Sequence, residues 1–159
     1  MMQMSVIENS TISVIRQMQK FGFVSRDAES KAAEPLFRQL KLKSASPQSP
    51  VGALSGGNQQ KALLARWLLI DPDVFFLDDP ARGIDIVAKQ DIYGIIARLS
   101  EAKKGLILVS SELPELLNCC HRILVLNQGK VSGMFSASEA TQELIMAAAI
   151  GAQAGGTRE

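Results

Sequence analysis

The sequence predicts an α/β fold in which a helical subdomain leads into a layered sheet. Three observations carry this expectation. Apolar residues recur at helical spacing over residues 5 to 42, apolar runs of four residues alternate with amphipathic stretches from Val74 onward, and the breaks fall at Pro, Gly, Ser and Asp. A length of 159 residues is enough for one domain with a buried core.

Val6, Ile7, Val14, Ile15 and Met18 form a first helical group, and Ala32, Ala33, Leu36, Phe37 and Leu40 a second, so two helices and a turn across 21 to 26 are expected. The stretch Ser44 to Val51, SASPQSPV, is too rich in serine and proline to continue a helix and reads as a loop. A third helix from about Gln59 to Ile70 puts Leu63, Leu64, Trp67 and Leu68 on one face and lets Lys61 and Arg66 reach solvent. Asp71 and Pro72 end it.

Val74 to Leu77 then reads as a buried strand of a parallel sheet. Ile86 to Leu99 is an amphipathic helix with Ile92, Ile95, Ile96 and Leu99 inward. Leu106 to Val109 gives a second strand, Glu112 to Cys119 a short helix, and Ile123 to Leu126 a third strand. The turn NQGK, Asn127 to Lys130, returns the chain into Val131 to Phe135 as a hairpin. A helix over Ser138 to Ile150 and a flexible tail over 152 to 159 close the chain.

Composition narrows the function. Seventeen basic against sixteen acidic residues leave a formal charge of +1, too balanced to gather nucleic acid or acidic lipid, so no nucleic-acid partner is expected. Cys119 and Cys120 are adjacent, which fits small apolar residues in a reducing compartment better than a disulfide framework. With His121 the sole histidine, beyond the short helix, a metal site built on Cys and His is not expected. The amino end has no secretory pattern and no apolar run reaches a membrane span, so the chain is expected in the cytoplasm, able to dock on a membrane protein.

Two motifs could carry chemistry. In LSGGNQQK, Leu54 to Lys61, a serine and two glycines precede a helix. Unobstructed N–H groups at a helix amino terminus suit a phosphate, whereas an ordinary cap would have Ser55 accept from a nearby backbone N–H. In DPDVFFLDDPARGID, Asp71 to Asp85, an apolar run ends in Asp78 and Asp79. Carboxylates at that edge of a parallel sheet can serve Mg²⁺ and an attacking water, and a buried strand ending in a polar turn would look the same.

The order of the two motifs, separated by one amphipathic helix, resembles the nucleotide-binding subunits of ATP-binding-cassette transporters: a signature motif, a Walker B strand and the loop after it. SVIENSTISVI is similar to the start of their helical subdomain. SSELPELLNCC and ATQELIMAAAIG are similar to sugar importers of the ribose type, which carry two cassettes per chain, and the likeness spans about residues 4 to 151.

The resemblance implies a helical signature subdomain over 4 to 57, its last helix running to about 70. A partial RecA-like P-loop NTPase core over 71 to 151 would follow, an incomplete domain. Ser55, Gly56, Gly57 and Gln59 would face the γ-phosphate of ATP held by an opposing, head-to-tail cassette, and Asp78 would serve Mg²⁺ through water. Asp79 stands where the family has a glutamate that polarises water, one methylene shorter, and Asp85 lies in the loop to the partner cassette. Ser111 stands where many cassettes have a switch histidine; from the residues alone it can cap the helix opening at Glu112. Arg82 either pairs with Asp79, contacts a partner or is solvated, and Lys103 and Lys104 read as solvated charge.

Membrane permease subunits and, indirectly, a periplasmic sugar-binding protein are the further partners implied, on the inner face of the cell membrane. The sequence has no GxxxxGK followed by Ser or Thr to hold phosphates. The chain is therefore expected to correspond to the second half of a second cassette, to bind no nucleotide alone, and to be marginally stable or self-associating. A non-catalytic module that binds another cassette is the alternative.

Overall fold

The computed structural model describes residues 2–20 and 22–151, which divide into two compact units. The first comprises residues up to 75 and 80–107, the second 76–79 and the residues from 108 on.

In the first unit α1 (Val6–Thr11) opens with a capping box: Ser5 Oγ accepts from Glu8 N–H at 3.2 Å and the Glu8 carboxylate accepts from Ser5 N–H at 3.0 Å. The serine- and proline-rich loop supplies further partners, since Val6 N–H donates to the Ser49 carbonyl and Ile7 N–H to that of Pro47. The orphan donors of this short helix are thereby answered, which its length alone would not support. A 3₁₀ stretch Ile12–Met18 follows, then β1 (Gln19–Lys20) and β2 (Phe23–Val24), an antiparallel pair where a plain turn was expected.

Next come α2 (Arg26–Gln39), capped by Ser25, α3 (Gly56–Leu68) and α4 (Ile86–Glu101). α1 packs on α2 and α3. Its polar residues enter that contact satisfied: buried Thr11 donates to buried Glu29 at 2.7 Å, and Arg66 of α3 reaches the carbonyl and side chain of buried Asn9.

α3 departs from its expected orientation. Gly57, Lys61, Ala62, Leu64 and Ala65 are its buried residues, whereas Leu63 and Trp67 are exposed. Small side chains let neighbouring helices approach closely, so the contact follows the Gly/Ala stripe instead of the bulkier Leu/Trp face. Lys61, expected in solvent, is 5% exposed. In α4, Ile92, Ile95 and Ile96 are buried as the periodicity predicts.

β3 (Val74–Asp78) and β4 (Gly105–Val109) are hydrogen-bonded neighbours, and the division between the units passes through both strands. β3 was expected to be buried on both faces. Phe75 and Leu77 are buried, but Val74 and Phe76 are exposed, Phe76 at 77%.

In the second unit α5 (Leu113–Cys119) precedes β5 (Arg122–Asn127) and β6 (Lys130–Ser136), an antiparallel hairpin with a bulge at Val125/Leu126. Its two-residue turn needs positive φ twice; Gln128 takes 48° and Gly129, which bears no penalty, 77°. α6 (Gln142–Ala149), capped by Thr141, starts later than Ser138 and packs on the hairpin through Ile145 and Ala148 against Ile123 and Val125. The opposite hairpin face, Leu124, Leu126, Val131 and Met134, is exposed. The expected tail, 152 to 159, lies outside the described residues.

So much exposed apolar strand surface has a solution signature. The native chain should bind an apolar-surface dye, and Phe76→Ser and Leu126→Ser should each lower its emission while changing stability by no more than about 0.5 kcal/mol. Unchanged emission in both variants would contradict the exposure described.

Candidate functional site

The residues of the two motifs fall into two groups, one in each unit. In the first unit Ser55 is the N-cap residue of α3, with extended backbone, and is exposed. It makes no side-chain cap bond to the helix, so the ordinary capping role is not the one adopted. Instead Ser55 Oγ accepts from Asn58 Nδ2 at 2.9 Å, and Asn58 Oδ1 accepts from the backbone N–H of Lys43 at 2.8 Å. The Gln59 side-chain amide donates to the Leu54 carbonyl at 2.9 Å.

The two glycines differ. Gly56 is exposed, and an added Cβ would meet Ile84 at an ordinary 3.6 Å. Gly57 is buried, and an added Cβ would come within 2.5 Å of the Ala88 Cβ. Glycine at 57 is thus required by the approach of α4, whatever else its N–H faces. Asp85 caps α4, accepting from Ala88 N–H at 2.9 Å with Oδ1, so that carboxylate is exposed but engaged.

Lys61 reaches from α3 to Asp91 of α4 at 2.7 Å and also donates to the Lys41 carbonyl at 3.3 Å. The Lys61 hydrogen bond holds the Asp91 carboxyl below its ordinary value, with the charges of Lys61, Lys41 and Lys43 adding to the effect. A depressed carboxylate pKa means the pair's contribution is fully present at neutral pH and is lost as pH falls through that lowered value. Sequence reasoning assigned no role to Asp91 or Asn58. Helical spacing aligns residues within one helix, and neither contact is internal to a periodic pattern.

In the second unit Asp78 ends β3 and is exposed. Asp79 follows with φ +42°, a left-handed conformation that aspartate tolerates better than longer side chains because it can bond locally. Its N–H donates to the Val109 carbonyl at 2.8 Å, and its Oδ1 accepts from Ser111 N–H at 2.7 Å and from Ser111 Oγ at 3.0 Å.

Ser111 therefore does not cap α5; its hydroxyl is committed to Asp79. Ser110 performs the local role, its Oγ accepting from Glu112 N–H at 3.0 Å while it donates to buried Glu115. The structure thus brings Asp79 and Ser111 together, and groups Ser55, Gly57 and Asp85 through the starts of α3 and α4. Arg82, Lys103 and His121 are exposed, whereas Lys104 pairs with Asp71 at 2.9 Å. Cys119 and Cys120 are half-buried free thiols whose pKa burial raises.

Among the described residues no cluster of three or more His, Cys, Asp or Glu could hold a metal. An ion served by Asp78 through water is compatible with that, since it asks only for one exposed carboxylate at a strand end. No helix of the described residues is long and apolar enough to cross a membrane.

Solved structures share this architecture. A dimeric structure of the ATP-binding cassette MJ0796 in a post-hydrolysis state, bound to ADP and Pi, superposes with a TM-score of 0.73 at 22% identity, covering 86% of this chain and 58% of that one. The fold is therefore a partial P-loop NTPase-like fold of the cassette class.

The profile of the ABC transporter family matches residues 1–82, more than half of the 159, and the chain belongs to that family. It is 47% identical over 147 residues to the ribose import ATP-binding protein RbsA 2 of Rubrobacter xylanophilus, covering 92% of this chain and 28% of that protein. To the ribose import ATP-binding protein RbsA of Chromobacterium violaceum it is 43% identical over 148 residues, covering 93% of this chain and 30% of that protein. The chain thus spans less than a third of the length of these curated relatives.

The Gly57–Ala88 approach yields a direct test. Gly57→Ala should destabilise the chain by about 1–3 kcal/mol, the range for overpacking. Adding Ala88→Gly, which removes the clashing carbon, should recover part of that loss in denaturant melts, and a Gly57→Ala chain as stable as the parent would refute the packing role.

Proposed function

We propose that the chain forms part of the ATP-hydrolysing subunit that powers import of a ribose-like sugar, its signature face completing an ATP site held by an opposing cassette. The observation that carries this is the start of α3. Ser55 is exposed and makes no helix cap bond, at the amino end of a thirteen-residue helix, in a chain of the ABC transporter family.

In this reading residues 4 to 57, with α3, act as the signature subdomain, and 71 to 151 as the partial core. The Ser55 hydroxyl and the N–H groups of Gly56 and Gly57 hydrogen-bond the terminal phosphate, aided by the partial positive charge of the helix end, and Gln59 holds Leu54 in place behind them. Asp85, by capping α4, sets the loop that meets the partner cassette. Asp78 would hold Mg²⁺ through water, where the ion would offset phosphate charge.

Asp79 orients an attacking water with the carboxylate that Ser111 steadies, which gives Ser111 a positioning role. Permease subunits and, through them, a periplasmic sugar-binding protein complete the assembly at the inner membrane face. The P-loop comes from a polypeptide segment outside these 159 residues, which contain no GxxxxGK followed by Ser or Thr.

A second reading is a cassette-binding module with no turnover of its own. It is favoured by the two hydrogen bonds that tie Asp79 Oδ1 back to Ser111. Both readings share the signature contact and differ in whether water is activated.

The experiment is a titration of the 159-residue chain with the Chromobacterium violaceum ribose import ATP-binding protein saturated with MgATP. Saturable association that requires MgATP, is lost with MgADP and is abolished by Ser55→Arg is the expected result, with no binding of MgATP by the chain alone. Failure to associate, or association indifferent to nucleotide and to Ser55→Arg, overturns the signature contact. Saturable one-to-one binding of MgATP by the chain alone overturns the supply of the P-loop from outside.

A further inference from the structure

We propose that Asn58 is a positioning residue that turns the Ser55 hydroxyl into a dedicated donor toward phosphate, an inference that rests on the signature contact just described. It follows from which groups can donate. The backbone N–H of Lys43 has no acceptor capacity, so the atom of Asn58 that meets it at 2.8 Å must be the carbonyl oxygen. The other end of the amide, an NH₂ that only donates, therefore faces Ser55 Oγ at 2.9 Å.

Ser55 Oγ must then accept at that contact, and its single proton points elsewhere. The hydroxyl is spent on no N–H of its own helix either, since α3 has no side-chain cap bond. A serine at an N-cap ordinarily accepts from the second or third N–H of the helix. Here Asn58, in the third helical position, supplies that donor from its side chain. A phosphate oxygen accepts and never donates, so a serine whose lone pair is occupied and whose proton is outward has the polarity it requires. The same amide ties the serine to the segment after α2 through Lys43, which fixes the amide's orientation against rotation.

Asn58→Asp separates this account from simple packing. The replacement is isosteric, and one carboxylate oxygen still accepts from Lys43 N–H. The other now accepts the Ser55 proton, removing it from the phosphate and bringing negative charge beside it. In the titration described above, Asn58→Asp should weaken MgATP-dependent association about tenfold or more, the scale of one hydrogen bond to a charged group. Its melting midpoint should match the parent's.

Ser55→Ala, which removes the proton and leaves the Asn58–Lys43 bond in place, should also weaken association. The double variant should lose less than the product of the two single losses, because both act through one proton. A merely structural role for Asn58 would lower the midpoint and would not depend on Ser55. Association of Asn58→Asp equal to wild type, losses that multiply, or Ser55→Ala binding as tightly as wild type would each overturn the proposal. Should Asn58→Asp prove unstable, Asn58→Ala, which removes the donor that occupies the Ser55 oxygen, takes its place: weaker association that does not multiply with Ser55→Ala is expected, and association equal to wild type overturns the proposal. Absence of MgATP-dependent association by the wild-type chain would overturn the signature contact and this inference together, whereas loss confined to the variants' predicted pattern supports both.

Discussion

Lys61 carries a charge into the contact between α3 and α4, and the placement of the start of α3 depends on that charge being answered. At 5% exposure an ammonium without a partner would cost several kcal/mol, or would lose its proton. Asp91 at 2.7 Å and the Lys41 carbonyl at 3.3 Å answer it. The ion pair holds α4 against the α3 face where Gly57 has no side chain, and Ala88 fills the space a Cβ would take. The same first turn of α4 is capped by Asp85. One ion pair and one absent methyl group thus set the relation between the start of α3 and the start of α4.

The carboxylate group in the second unit obeys a different constraint. Asp79 adopts a left-handed backbone at the end of β3, and Ser111 donates to it twice. Aspartate enters the left-handed region more readily than a glutamate would. An aspartate at position 79 is therefore consistent with its backbone. Asp79 and Ser111, which the sequence treats separately, are in space one hydrogen-bonded pair.

The helices and the hairpin were legible because their periods are regular: Ile92, Ile95 and Ile96 of α4 lie inside as their spacing requires, and NQGK makes the turn. The face of α3 was misread because hydrophobicity alone ranks Leu63 and Trp67 above Gly57 and Lys61, while packing rewards small residues and a neutralised charge. The β1–β2 pair was missed because strands of two residues have no period to detect. β3 looked doubly buried because its run is uniformly apolar, yet its alternate residues are exposed. Ser111 was read as a cap for α5, but its hydroxyl bonds Asp79 and α5 has no side-chain cap bond, a difference that only backbone geometry decides. At the candidate site the motifs were visible as motifs, but Asn58, Asp91 and the Asp79–Ser111 bond were not, because each joins residues through space or through hydrogen-bond polarity that residue types alone do not fix.

The Lys61–Asp91 pair holds the start of α3 in place. Amide hydrogen exchange at Gln59, Ala88 and Lys89, whose N–H groups are hydrogen-bonded at the starts of α3 and α4, compared between the wild-type chain and Asp91→Asn, tests it most directly. Removing the charge of Asp91, whose side chain is 30% exposed, should lower the opening free energy there by roughly 2 kcal/mol, about thirty-fold faster exchange, below the usual cost for a fully buried pair. Amides of β5 and β6 should exchange as before. Equal protection at Gln59, Ala88 and Lys89 in the two chains would contradict the claim.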